Sequence, residues 1–308
     1  MRVLVTGGLG FIGRYVVRRL VGLGYEVRVI DALTYAAHSP ATVSCHVDKA
    51  DIVTLDHLPH GTEVVVNLAA ETHVDNSIQD STAFWRTNVL GTQRLLELVR
   101  GLPVHERPTF IQISTDEVYG QTLSGLATTN SSLRPSSPYA ASKASADLAV
   151  QSYQTTYGLR AMILRMTNVY GEGQFREKLI PKAIDCLRRE KPVPIHGSGT
   201  SIRSWLSLGD AASAVATVLE YGEPGMVYHA GGNTFASVAD VVRTLTALIR
   251  PEVADWTQAC RWGVERPGID VRYALDDSNL RALGWTPTGD FWADLPSVVE
   301  MEKTSPTW

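Results

Sequence analysis

A chain of 308 residues, 44% hydrophobic and 19% charged, is long enough for one large or two modest folded units and has a globular composition. Its net charge of −4 offers no basic field for a nucleic-acid or anionic-membrane partner. No apolar run approaches the ~20 residues that a spanning helix needs, which argues against a membrane partner. The opening MRVLVTGGLG runs straight into a strand without signal-peptide anatomy. Cys45, Cys186 and Cys260 are scattered, with neither a CxxC pair nor a Cys/His cluster. The expectation is a cytoplasmic protein with reduced thiols and no metal site.

In chain order, residues 2–5 read as a short apolar strand and 11–23 as a helix with Ile12, Tyr15, Val16 and Leu20 at helical spacing. Residues 26–30 follow as a second strand. The continuous apolar run at 64–68 predicts a strand covered on both faces. A helix is expected over 82–100, a strand over 109–113, and a long helix over 138–157 with Pro138 in its first turn. A strand at 161–165 closes the series. Strands alternating with helices predict an α/β fold with a doubly wound parallel sheet, over residues 1–170. Beyond 170 the pattern is irregular, with helices expected at 178–189, 210–220 and 237–248 and strands at 193–196 and 226–230. Residues 171–308 are therefore read as a smaller α/β substrate lobe, with segments able to cross between the two.

Gly7, Gly8, Gly10 and Gly13 follow the first strand and open the first helix. Glycine permits a tight turn and close backbone approach to a pyrophosphate, and the helix N-terminus presents unpaired N–H groups to the phosphates. Asp31 ends the second strand eighteen residues after Gly13, placed to bind a ribose hydroxyl, and a carboxylate there favours NAD over NADP.

Tyr139 and Lys143 lie four residues apart on a predicted helix, hence on one face. Lys143 is expected to lower the tyrosine pKa and make it a base for a sugar hydroxyl. Asp116 and Glu117 follow Thr115 at the carboxyl end of the 109–113 strand, the edge where open α/β sheets bind ligands. Two carboxylates in a closed site cannot easily both stay ionised, so one serves as acid and its neighbour as base. An enzyme that only moves hydride has little use for such a pair; one that also expels water does.

These segments, with DALTYA from Asp31, LAAETHVDNSI from Leu68, FREKLIP from Phe175, IRSW from Ile202 and ERPGIDVRY from Glu265, carry a resemblance that runs nearly end to end. The chain resembles the extended short-chain dehydrogenase/reductase family and, within it, the nucleotide-sugar 4,6-dehydratases of the dTDP-glucose type. The resemblance implies NAD as cofactor, a dTDP- or UDP-linked hexose as substrate, and a homodimer through the 82–100 and 138–157 helices. It implies that Thr115 bonds the sugar 4-oxygen, Tyr139 takes the 4-hydroxyl proton, Glu117 removes the C5 proton and Asp116 protonates the departing 6-hydroxyl. Cofactor contacts are expected from Gly7, Gly10, Phe11, Ile12, Gly13, Asp31, Leu33, Thr34, Asp48, Leu68, Ala70, Thr87, Tyr139, Lys143 and Asn168. Substrate contacts are expected from His73, Thr115, Asn168, Lys178, Leu179, Arg203 and Arg266; the two arginines serve either there or in surface ion pairs, and the surrounding motifs favour the ligand role.

The chain departs from the family pattern at Val169, where asparagine is usual, at Ser204 (aspartate), His196 (tyrosine) and Ile269 (histidine), and in a shorter segment between Gly120 and Ser136. The catalytic positions match while the pocket varies, which leaves a non-glucose hexose or a base other than thymine open. The alternatives on the same fold are a 4-epimerase, a decarboxylase or a 5,6-dehydratase. An alternative of another class is a non-catalytic NAD-binding regulator.

Overall fold

The computed structural model describes residues 1–304. The first half runs β1 (Arg2–Thr6), α1 (Phe11–Gly22), β2 (Glu26–Asp31), β3 (His46–Lys49), β4 (Val64–Asn67), α2 (Val74–Gln79), α3 (Thr82–Phe84), a π-helical stretch Trp85–Gly91, α4 (Thr92–Gly101), β5 (Thr109–Thr115), α5 (Pro138–Tyr157) and β6 (Ala161–Met166). The second half runs β7 (Asn168–Tyr170), α6 (Leu179–Arg188), β8 (Val193–His196), β9 (Ile202–Ser207), α7 (Leu208–Tyr221), β10 (Val227–Ala230), β11 (Thr234–Ser237), α8 (Val238–Ile249), β12 (Cys260–Gly263), α9 (Ser278–Arg281) and α10 (Phe291–Thr304).

Seven strands form one parallel sheet in the order β10-β6-β5-β4-β1-β2-β3. Alternate residues face opposite sides, as strand geometry dictates. Val3 and Val5 pack with Val16, Val17 and Leu20 of α1 and with Ala211, Val215 and Val218 of α7. Leu4 and Val65 pack on the other side with Leu95, Leu96 and Val99 of α4 and Val150 of α5. With helices on both faces, the strands need apolar residues at every position, hence the unbroken run in β4. The strand order reverses between β1 and β4, and this switch point opens the crevice in which such sheets bind ligands.

A second core joins α6, α8, α10 and β8, with Phe291 stacked on Trp205 at 4.8 Å. Residues beyond 170 do not stay with it. The strand expected at 226–230 becomes β10, which pairs with β6 at the edge of the large sheet, and α7 packs on α1. The crossing covers the β6 edge and the apolar face beneath it.

The helix expected over 82–100 is interrupted by its π-helical stretch. Asn88 within it is buried and bonds in three directions: to the Glu71 N–H and C=O and to the Ser142 hydroxyl. Local pattern cannot reveal such a tertiary demand. Helix α10 also carries no legible signal, since Pro296 lies inside it.

Candidate active site

At the switch point the backbone makes a cradle. Gly7 adopts φ +66°, and a Cβ there would stand 2.7 Å from the Ala69 nitrogen. A Cβ on Gly13 would fall 2.1 Å from the Gly7 oxygen. Both positions exclude any side chain. Helix α1 follows Gly10, which offers no side-chain cap, so its first N–H groups keep their donors for a ligand. Asp31 is buried and accepts from the Leu9 N–H at 3.0 Å and the Leu33 N–H at 2.8 Å, which fixes its carboxylate at the end of β2.

A groove of about 260 Å³ runs from this cradle, lined by Gly7, Gly10, Asp31, Thr34, Leu68, Ala70 and Thr87 among the expected contacts. Phe11, Ile12, Tyr139 and Asn168 line a neighbouring cavity instead. Consecutive residues Gly10 and Phe11 thus face the two spaces, as a dinucleotide laid across the switch point requires. These residues fit NAD: the glycines leave room for the pyrophosphate, the helix end offers donors and Asp31 an acceptor.

Asp48 is a correction. It lies within β3, not beyond its end, and pairs with Arg28 at 2.5 Å and His46 at 3.0 Å. It borders a separate hollow at the opposite end of the strands, whereas Asp51, with Ile52 beside it, lines the groove along with Asp31 and Glu71. Leu33 sends its side chain into the core, although its N–H holds Asp31.

The neighbouring cavity, about 380 Å³, holds Thr115, Asp116, Glu117 and Tyr139 together. Strand β5 ends at Thr115, whose hydroxyl caps a 3-10 turn, Asp116–Tyr119, by accepting from the Glu117 N–H at 3.3 Å. Gly120 ends the turn at φ +68°, where a Cβ would meet the Arg134 oxygen at 2.3 Å. The turn therefore delivers both carboxyls to the carboxyl edge of the sheet. Asp116 is buried; one oxygen accepts from Thr115 at 3.1 Å and the other has no partner. Burial, reinforced by Glu117, raises its pKa to about 7. Burial also raises Glu117, while Arg203, Lys178 and Arg266 pull it down. Glu117 keeps part of its surface open to the cavity.

Helix α5 begins where Ser137 accepts from the Ala140 N–H and Pro138 takes the first turn, and it ends at Gly158 in the left-handed region. Tyr139 is buried. Its phenol is held above the ordinary value by burial and by Glu117 and Asp116, with the Thr115 hydroxyl opposing. This runs against the expected lowering by Lys143. The Lys143 ammonium is instead tied to the Ile113 carbonyl at 2.6 Å, and burial pushes it down to about 8, with Asp147 opposing.

Four cations also line the cavity. Lys178, Lys182, Arg203 and Arg266 line it, with His73, Leu179 and Val169. The Arg203 guanidinium donates to the Ile202 and Asp270 carbonyls at 2.9 and 3.1 Å and lies over the Tyr273 ring. Arg266 pairs with Asp75 at 3.0 Å, and its buried Nε has no partner. His73 caps α2 by accepting from the Asn76 N–H, and its other nitrogen faces Glu177 at 3.5 Å. Of the positions that depart from the family pattern, Val169, His196 and Ile269 line this cavity; Ser204 is buried against Thr167 and Gly232.

Sequence reasoning missed Tyr273, Ser201 and Gln174 in this cavity and Asp51, Glu71 and Arg86 in the groove. Tyr273 carried a signal, as the last residue of the ERPGIDVRY segment; Ser201 carried none. Among the described residues no His, Cys, Asp and Glu cluster could hold a metal, and no helix is long and apolar enough to cross a membrane.

Residues 3–231 match the NAD dependent epimerase/dehydratase family. The dTDP-glucose 4,6-dehydratase of Xanthomonas campestris pv. campestris is 39% identical over 330 residues, covering 99% of this chain and 94% of that protein. That of Streptomyces griseus is 39% identical over 318 residues, covering 99% and 95%. The crystal structure of DesIV, a dTDP-glucose 4,6-dehydratase from Streptomyces venezuelae with NAD bound, superposes with a TM-score of 0.90 at 37% identity, covering 99% of this chain and 97% of that one. The UDP-glucuronic acid 4-epimerase of Bacillus cereus, with NAD, gives 0.89 at 27% identity and 99% coverage of both. The backbone alone thus fails to separate the two reactions, while sequence identity is higher to the dehydratase than to the epimerase. The chain belongs to the NAD dependent epimerase/dehydratase family.

Proposed function

We propose that the chain is an NAD-dependent nucleotide-diphosphate-hexose 4,6-dehydratase. The observation that carries this reading is the meeting of Asp116 and Glu117 with Tyr139 in one cavity, with Asp116 poised near neutrality. NAD, held by the glycine cradle and Asp31, would supply the acceptor for hydride from C4 and its donor to C6.

The chain's own residues supply the proton chemistry. Tyr139 removes the 4-hydroxyl proton, and Thr115 orients the 4-oxygen. Burial, Glu117 and Asp116 hold the Tyr139 phenol up, and no cation is among the groups that bear most on it. An oxidised nicotinamide held beside Tyr139 would supply positive charge and draw the phenol down. The 4-ketone then acidifies C5, and Glu117, partly open to the cavity, takes that proton and, once hydride has reached C6, gives a proton back to C5. Asp116, raised by burial so that it still holds its proton in part at neutral pH, gives that proton to the departing 6-hydroxyl. Neither carboxyl works without the ketone, which is why both motifs must share one pocket.

The four lining cations fit a diphosphate, with dTDP- or UDP-linked sugars as the substrate class and Arg266 on phosphate. A homodimer and a cytoplasmic location complete the reading. Trp85 and Leu90, between α3 and α4, and Leu148 of α5 stand exposed at 40%, 54% and 54%, an apolar surface suited to a helical dimer interface. Incubation with NAD and a panel of dTDP- and UDP-hexoses tests the activity: a 4-keto-6-deoxy product is expected. Inversion at C4 as the sole outcome would establish the epimerase reading instead.

A further inference from the structure

We propose that Asp147 is a positioning residue that locks the redox pair on α5 in register with the carboxyl pair after β5 and serves Lys143 as its counter-ion. The inference rests on the reading of Tyr139 and Lys143 as the redox pair.

Tyr139, Lys143 and Asp147 recur every four residues, so they share one face of α5, and Asp147 is fully buried. Two successive residues of β5 are tied to two successive turns of that face. The Lys143 ammonium donates to the Ile113 carbonyl at 2.6 Å, and the Ser114 hydroxyl donates to Asp147 Oδ2 at 2.9 Å. Thr115, Asp116 and Glu117 follow directly. A slip of α5 along β5 would therefore break both ties before it moved Tyr139 away from the carboxyls.

The tie extends to the far end of the acidic turn. Arg165 of β6, the register partner of Ser114, donates to Asp147 Oδ2 at 2.8 Å. Its guanidinium also donates to the Tyr119 hydroxyl, the last residue of the turn. Tyr119 in turn meets His229 Nε2 of β10 at 2.7 Å, and His229 Nδ1 lies 2.8 Å from the Asp276 carbonyl. A carbonyl accepts only, so Nδ1 carries the hydrogen and Nε2 accepts from Tyr119. Burial pushes His229 down to about 4, so it stays neutral in this role. Ser114 before the turn and Tyr119 at its end are thus both held by the Asp147–Arg165 pair.

Stability alone does not account for this pair, because buried ion pairs are often replaceable by apolar residues at no loss. Asp147 Oδ1 also has no partner, a spare acceptor on the carboxylate one turn from Lys143. Lys143, Arg165 and Ser114 face Asp147, and Asp147 is the acid whose charge reaches Lys143. Burial pushes the Asp147 carboxyl up while those three neighbours pull it back. Around Tyr139 the facing groups are Glu117, Asp116, Thr115 and, more weakly, Asp147.

The test follows Lys143 itself in the NAD-loaded full chain, by NMR of isotope-labelled lysine, with its signal identified by its loss in Lys143→Met. Removing the counter-ion favours the neutral amine, so Asp147→Asn is expected to lower the Lys143 titration midpoint by about one pH unit. The alkaline limb of C4 oxidation should move with it, and Asp147→Glu should restore both. A residue that merely packs would lower Tm in both variants and leave the midpoint unmoved, which would overturn the proposal. Should Asp147→Asn fail to fold, Ser114→Ala is expected to slow single-turnover C4 oxidation several-fold with sugar-nucleotide Kd unchanged; an unchanged rate there would overturn it. The NMR readout needs no turnover, so a failed dehydratase assignment would leave the Lys143 result standing.

Discussion

The groove at the ends of β1, β2 and β4 is shaped by backbone, whereas the cavity beside it is shaped by side chains gathered from β5, α5, β7, α6, β9 and residues 266–273. In the groove, Gly7 and Gly13 sit where a Cβ would strike main-chain atoms that cannot move. In the cavity, Arg203, Arg266, Lys178 and Tyr273 reach a common space from segments far apart in the chain. A site made by backbone fails abruptly when one methyl is added. A site made by long side chains loses affinity by degrees, while its reacting carboxyls remain indispensable.

Substitutions should separate these behaviours, beginning with the reacting group. Glu117→Gln should leave C4 oxidation intact and slow water loss by roughly 10³-fold, within the range for removal of a general base, so that reduced cofactor accumulates in a rapid-mixing absorbance trace. Dehydration at the wild-type rate would remove Glu117 from its role. Next, Gly13→Ala should weaken NAD binding by about 100-fold or more by calorimetry, since the new Cβ would stand 2.1 Å from the Gly7 oxygen. Gly22→Ala, with nothing within 4 Å, should bind as wild type and serve as the control. Arg266→Ala should raise KM for the sugar nucleotide about tenfold, the loss of one charge-assisted bond, with a smaller fall in kcat.

The smallest effect is on stability. The Asp116 carboxyl rises from 3.8 to about 7 in the folded chain, so the folded state holds its proton more tightly than the unfolded state. That contribution is full below about pH 4 and is lost as pH rises to 7. Asp116→Asn removes the penalty. Its Tm should exceed that of the wild type by a few degrees above pH 7, and the gain should shrink to nothing near pH 4. A constant offset across that range would contradict the burial argument.

The same contrast explains what was legible in the sequence. Glycine spacing, the strand before it and Asp31 after it are local facts, and they placed the groove without the fold. Thr115-Asp116-Glu117 and Tyr139/Lys143 were legible because each motif is contiguous or one helical turn long. Asp48 was misplaced because strand β3 is too short to show where its carboxyl end falls; that end decides whether Asp48 or Asp51 meets the groove. The return of 208–230 to the large sheet, the π-helical stretch around Asn88 and the Asp147–Arg165 tie are long-range pairings with no local signature. The expected lowering of Tyr139 by Lys143 failed because helical spacing gives a shared face but not the direction of the ammonium, which turns to Ile113.

The central claim is that one bound sugar meets both motifs in turn, and deuterium reports it directly. Turnover of a nucleotide-hexose in deuterated water should give a 4-keto-6-deoxy product with deuterium at C5, where Glu117 exchanges the proton, and the C4 hydrogen transferred to C6. A product inverted at C4 with no deuterium at C5, or one that has lost carbon dioxide, would contradict the account.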